Sequence, residues 1–169
     1  MALEVNEENA LALGDRLEHD FERLFAEEGP RVWRTIYAFT AGRRDIAEEA
    51  VAEAFARALA HRSRIQDPLG WIYRTAFRLA KEELRRERRS VPQEPRPSDE
   101  PARLGQLIFA LRQLSPNQRA AIVLRYEVDL PVAEIAHRMG IAAPTVRVHL
   151  LRGRRRLREL LGAEEVEDA

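Results

Sequence analysis

The chain has 169 residues, of which 45% are hydrophobic and 33% charged, with 28 basic and 28 acidic side chains and no cysteine. That length admits one domain or two small ones, and the charge content points to large solvated helical faces rather than one thick core. A disulfide, a thiolate nucleophile and a cysteine-ligated zinc are excluded, His19, His61, His137 and His149 are too scattered for a ligand set, and no metal or other cofactor is expected.

Ala, Leu, Glu and Arg dominate, and no β-branched run alternates with period two, so an all-α fold is expected. A first helix is predicted over 13–26, with Leu17, Phe21 and Leu24 on one face. A second is predicted from Pro30 to just before Gly42, burying Val32, Trp33, Ile36 and Tyr37. Proline at a helix start and glycine past its end are the usual punctuation. A third helix over 45–59 opens with Asp45 and Glu48 as a variant capping box. One of its faces carries Ile46, Ala47, Ala50, Val51, Ala54, Phe55, Ala58 and Leu59, and the opposite one Glu48, Glu49, Ala52, Glu53 and Ala56. A loop over 61–66 leads to a fourth helix behind Asp67 and Pro68, which passes Trp71, Ile72, Ala76 and Leu79 and ends on Arg85, Arg86, Arg88 and Arg89.

Residues 90–102, SVPQEPRPSDEPA, hold four prolines, two serines and three acids and read as a linker. Two small helical domains, 13–89 and 103–161, are therefore expected on either side of a semi-stiff Pro-rich tether. Leu104, Leu107, Ile108 and Leu111 mark the first helix of the second domain, and Ser115, Pro116 and Gln118 cap the next, which ends near Tyr126. A helix after Pro131 presents Val132, Ile135, Ala136 and Met139, breaks at Gly140, and is followed by a last helix over 143–161. Two helices joined by a short glycine turn, the second of them basic, form a helix-turn-helix pattern.

At 100° per residue, Val146, Leu150, Gly153 and Leu157 of the last helix fall within about 60° of one another and must face the core. Arg147, Val148, Leu151, Arg152 and Arg155 lie on the other side, so apolar groups flanked by arginines face outward. A DNA major groove accounts for that mixture, because arginine pairs with guanine O6 and N7 while apolar groups touch a thymine methyl. Charge distribution agrees: residues 1–30 carry nine acids and two arginines, whereas residues 143–158 carry six arginines and no acid. A polyanionic partner near the C-terminus follows. No apolar run approaches the roughly 20 residues that span a bilayer, and the acidic start lacks a signal-peptide pattern. No membrane insertion and a cytoplasmic location are expected.

The run 114–160, LSPNQRAAIVLRYEVDLPVAEIAHRMGIAAPTVRVHLLRGRRRLREL, resembles the promoter-reading C-terminal domain of extracytoplasmic-function sigma factors. Upstream, DIAEEAVAEAFARAL (45–59) resembles that family's polymerase-clamp-binding helix, and DPLGWIYRTAFRLAKEELRRERR (67–89) resembles its helix that opens and reads the minus-10 element. The resemblance implies a non-enzymatic specificity subunit with three kinds of partner. These are core RNA polymerase through its clamp and flap regions, promoter DNA as duplex and melted strand, and an anti-sigma factor. Polymerase docking would fall to Asp45, Glu48, Glu49, Ala52 and Glu53. Minus-10 reading would fall to Arg62, Arg64, Trp71, Tyr73, Arg74, Arg78 and Arg85, and minus-35 reading to Thr145, Arg147, Val148, Leu151, Arg152 and Arg155. Energy for strand opening would come from binding the exposed strand, since neither a glycine-rich phosphate loop nor a catalytic constellation is visible.

The sequence departs from the family pattern at several of these places. Glu49 and Ala52 replace an Asp-then-Gln pair, Arg78 replaces an Asn, Pro131 and Ala142 stand where Ser commonly caps helices, and Val148 with His149 replaces a Ser-Arg pair. Taken without the family, Trp71 reads first as core and second as a stacking platform, Glu48, Glu49 and Glu53 as a solvated face or a contact surface, and the basic end of the fourth helix as a dipole complement. A stand-alone helix-turn-helix regulator and a scaffold binding an acidic protein are the alternative functions.

Overall fold

The computed structural model describes residues 7–87 and 102–162. It is built from α1 (Glu7–Phe39), α2 (Arg44–Ala60), a 3-10 turn (Arg62–Arg64), α3 (Pro68–Glu87), α4 (Ala102–Arg112), α5 (Pro116–Tyr126), α6 (Val132–Met139) and α7 (Ala143–Leu161). No strand occurs among the described residues, as the composition predicts. All of the linker but its last residue lies outside them, as do Arg88 and Arg89; that last residue, Ala102, begins α4.

The two helices expected on either side of residue 30 are one 33-residue helix with Pro30 inside it. A proline in a helix interior removes one backbone bond and costs about 3 kcal/mol. Packing overrides that cost because the apolar face stays in phase across the proline. Phe21, Val32, Ile36 and Phe39 fall within about 60° of one another at 100° per residue, and all four are buried. A break at residue 30 would aim half of this face away from the core. Pro30 itself is exposed, at an open hollow lined also by Glu48, Val51 and Ala52 of the next helix, so its ring is not forced into the core.

The turn after α1 uses left-handed backbone at Ala41 (φ 52°) and Gly42 (φ 84°). Thr40 Oγ1 donates within the same turn, lying 3.1 Å from both the Tyr37 and Arg43 carbonyl oxygens. α2 then buries Ile46, Ala47, Ala50, Val51, Ala54, Phe55 and Ala58 against α1 and α3. The alanines in that stripe allow close approach of the helices. α2 does not begin with the expected capping box: Arg43 is its N-cap, with no side-chain cap bond, and Asp45 lies inside the helix. Arg43 holds the Asp45 carboxylate at 2.7 Å and also grips Glu87 at the end of α3. A partner 44 residues away thus competes with local capping. The Arg43 guanidinium holds the Asp45 carboxyl below the ordinary carboxylate range, and the same two acids raise the pKa of Arg43.

α3 is capped by Asp67, whose Oδ1 accepts the Gly70 backbone N–H at 2.9 Å, with Pro68 in the first helical position. In the second half, the full capping box at Ser115 and Gln118 forms as the sequence predicts. α7 lies across α4, α5 and α6 and buries Val146, Leu150, Gly153 and Leu157, the four residues selected by the helical wheel. A Cβ on Gly153 would stand 2.9 Å from Ile122 Cγ1, so glycine there allows α7 to approach α5 closely. Gly140 closes α6 in left-handed conformation (φ 65°), and neither Pro131 nor Ala142 provides a side-chain cap for the helix it precedes.

The two helical halves lie against each other, α1 meeting α4 and α5, and α3 meeting α6. Arg31 donates to the Val128 carbonyl at 2.8 Å, Arg112 to the Ala41 carbonyl at 3.0 Å, and Arg34 pairs with Glu127 at 3.2 Å.

Candidate nucleic-acid interface

The outward face of α7 is built by elimination. Four residues of the helix are consumed by the core, Gly140 sets the turn that aims the helix, and Ala143, His149, Arg154, Leu160 and Leu161 are partly buried along its flanks. Thr145, Arg147, Arg152 and Arg155 are exposed, and between them Val148 is 42% and Leu151 is 61% exposed. Burying a side chain of that kind is worth about 1.5 to 3 kcal/mol, so Leu151 leaves apolar area unburied between the arginines. Among the described residues Arg147 and Arg152 make no ion pair. Arg155 and Arg156 both reach Glu159 at 3.2 Å. Those two contacts, Arg156 the stronger, hold the Glu159 carboxyl below its usual range, so it stays charged at neutral pH and partly offsets the arginines.

On α3, the wheel gathers Trp71, Arg74, Arg78 and Arg85 into one stripe about 60° wide and sets Tyr73 apart from it. Trp71 is half-buried, its ring centroid 6.4 Å from that of His61; Arg78 and Arg85 are exposed. Arg78 lies 3.5 Å from Glu82, and Arg74 approaches His137 of α6 at 3.0 Å. Tyr73 is 1% exposed, packed beneath the Arg138 guanidinium of α6, and burial pushes its phenol pKa up. Arg62 and Arg64 occupy the 3-10 turn; Arg62 donates to the Leu59 carbonyl at 3.0 Å and so closes the end of α2, while Arg64 is exposed.

Asp45, Glu48, Glu49, Ala52 and Glu53 are all exposed on α2. A groove of about 630 Å³ runs between α2 and α3, with Ile46, Ala50 and Leu79 among the residues lining it and Glu49, Glu53, Glu82 and Glu83 bringing acid from both helices. Sequence reasoning missed Glu82 and Glu83. Their signal was the acidic pair preceding Leu84, Glu82 at the edge of the arginine stripe beside Arg78 and Glu83 on the flank turned away from it, but nothing in the sequence says that this flank meets α2. The Arg57 to Glu53 contact at 2.6 Å and an Arg86 to Glu83 ion pair neutralise part of this acid. Among the described residues no group of acids, histidines or cysteines is arranged to hold a metal, and no helix is long and apolar enough to cross a membrane.

Comparison with known proteins places these surfaces in a family. Residues 24–90 match the model of Sigma-70 region 2, and residues 104–157 match that of Sigma-70, region 4. The chain is 30% identical to the RNA polymerase sigma factor CarQ of Myxococcus xanthus, with 92% of this chain and 97% of the relative covered. It is also 30% identical to the ECF RNA polymerase sigma factor SigE of Mycolicibacterium smegmatis, with 88% of this chain and 64% of that relative covered. The fold is shared with RpoE of Bartonella quintana, solved with the anti-sigma factor NepR (TM-score 0.72, 23% identity, 86% of this chain and 98% of that chain). It is shared also with CnrH, solved with the cytosolic domain of CnrY (TM-score 0.68, 21% identity, 90% and 97%). These matches set aside the stand-alone regulator and the scaffold. With both regions present in order and a relative matched along nearly its whole length, the chain belongs to the extracytoplasmic-function sigma factors, subunits that direct promoter recognition by bacterial RNA polymerase.

Proposed function

We propose that α7 reads the minus-35 element through Arg147, Val148, Leu151 and Arg152, with Thr145 and Arg155 at its margins. The observation that carries this reading is the outward face of α7, where two exposed apolar side chains stand between arginines while the opposite side is spent on the core. Arginine offers paired donors to guanine, and Val or Leu suits a thymine methyl. The stripe of Trp71, Arg74, Arg78 and Arg85, with Arg62 and Arg64 at the preceding turn, takes the unstacked minus-10 strand: the aromatic ring stacks on a base and the guanidinium groups meet phosphate. Tyr73 belongs to this set only when α6 is removed from it. The acid face of α2 (Asp45, Glu48, Glu49, Ala52, Glu53) docks on the polymerase clamp, and region 4 meets the flap.

In this reading residues 13–89 and 103–161 act as two domains tethered by 90–102. The chain works in the cytoplasm alongside polymerase, catalyses no reaction itself, and is held in check by an anti-sigma factor. Strand opening draws on the binding of exposed bases and not on nucleotide hydrolysis. Reconstitution tests the whole: purified chain with core polymerase should start transcription on its own promoter. Reversal of Glu49 and Glu53 to Arg should weaken competition for core while helicity is kept. Undiminished competition by that double variant rejects the acid face as the docking surface.

A further inference from the structure

We propose that Glu159 is a built-in competitor for DNA phosphate, an anion of the protein's own that occupies Arg155 and Arg156 and so keeps the sequence-independent affinity of α7 low. This rests on the reading of α7 given above and concerns the end of the helix beyond the base-reading residues. Between Ala143 and Leu161 the chain has six arginines and a single acid. That acid is on the face turned to DNA in this reading. Val148, Arg152, Arg155 and Glu159 fall within about 60° of one another at 100° per residue, and all four are exposed. The two carboxylate oxygens are divided between two guanidinium groups: Arg155 Nε donates to Oε1 at 3.2 Å, and Arg156 Nη1 donates to Oε2 at 3.2 Å. A phosphate would meet the same two side chains in the same way, with one oxygen to each.

Helix stability does not account for Glu159. It lies in the last turn of α7, where the carbonyl ends of the backbone dipoles disfavour a negative charge. It also follows Arg155 by four residues, which is the weaker order for an ion pair along a helix. Nor does it tie α7 to another helix, since both arginines that it holds belong to α7 itself. What the carboxylate does change is the charge offered to DNA. Two guanidinium groups and one carboxylate present a net single positive charge, and one positive charge fewer means one counterion fewer displaced from the duplex. On B-DNA such a contact contributes about 0.9 to the slope of log K against log salt, or roughly eightfold in affinity between about 1 M and about 0.1 M salt. That contribution is the same for every sequence, so withholding it leaves promoter occupancy to depend on the base contacts of Arg147 and Arg152.

The test uses holoenzyme reconstituted from the full chain and core polymerase, with Glu159→Gln removing the charge while keeping side-chain length and helix propensity. Equilibrium binding to a promoter fragment, and to one with a scrambled minus-35 element, would be measured across a salt series. The variant should bind the scrambled fragment about three- to eightfold more tightly at about 0.1 M salt, with a slope steeper by about 0.5 to 0.9, and the gain should fade as salt rises. At a concentration that nearly saturates the matched promoter, its transcription should rise on the scrambled one alone, so that discrimination narrows. In an Arg155→Ala, Arg156→Ala background the gain should shrink by about half or more, because the guanidinium groups it would release are gone. Parental affinity and slope in Glu159→Gln, or a gain of full size without the two arginines, overturns the competition. If Arg147→Ala and Arg152→Ala still weaken binding to the matched promoter in that case, the reading of α7 stands and only the role of Glu159 falls. Should neither those variants nor Glu159→Gln alter binding to either fragment, α7 does not reach DNA and both inferences fail.

Discussion

Arg147 and Arg152 carry the sharpest prediction, because the structure isolates what their loss can affect. Both are exposed on α7, and among the described residues neither makes an ion pair, so Arg→Ala at either position should leave the stability of the fold within about 0.5 kcal/mol of the parent. Any larger effect on transcription must then arise at the DNA. A guanidinium paired with a base edge is worth about 1 to 3 kcal/mol, which is about 5- to 160-fold in affinity. That loss should fall on promoters with the matching base and shrink on variants that lack it. Arg155 is expected to differ: its side chain is 81% exposed and already engaged by Glu159, so it has the reach and surroundings of a phosphate contact. Its loss should weaken all promoters alike and reduce the salt slope by about 1. Transcription from a panel of minus-35 variants, repeated over a range of salt, separates the two behaviours. If Arg147→Ala and Arg152→Ala both transcribe the whole panel like the parent, the outward face of α7 does not read the promoter.

Three further perturbations follow from local geometry. Ala142→Ser places a hydroxyl at an uncapped N-terminus whose backbone (φ −70°, ψ 145°) already suits a cap, and should stabilise the chain by about 0.5 to 2 kcal/mol in denaturant unfolding. Gly153→Val drives a branched side chain into Ile122 and should cost about 1 to 3 kcal/mol, part of it recovered when Ile122→Val is added. The third concerns acid. Arg43 depresses the pKa of Asp45 in the folded state below the ordinary value of 3.8, so the stabilisation is present in full above that value and is lost as pH falls through the folded pKa. Asp45→Asn should therefore lower stability at neutral pH and leave a shallower acid dependence, read from melting temperatures across a pH series; parallel pH profiles would refute the clamp.

Much of the site was legible in one dimension because periodicity and capping are local. The spacing of Val146, Leu150, Gly153 and Leu157 determined which side of α7 the core takes, and hence which side is left exposed, without knowledge of what lay beneath. Ser115 and Gln118 determined where α5 starts, since both partners of a capping box lie within one turn. Three other features depend on partners distant in sequence. Pro30 reads as a helix start until Phe21 and Ile36 are seen to share one core, which makes an unbroken helix worth its missing bond. Asp45 reads as a cap until Arg43 is found bridging to Glu87. Tyr73 sits among candidate strand-reading residues, yet α6 covers it, because the docking of one half on the other is settled by shape and charge at surfaces more than sixty residues apart. Local propensities specify the helices and their faces; which faces meet is a property of the assembled chain, and here it decides which of the candidate reading residues stay exposed.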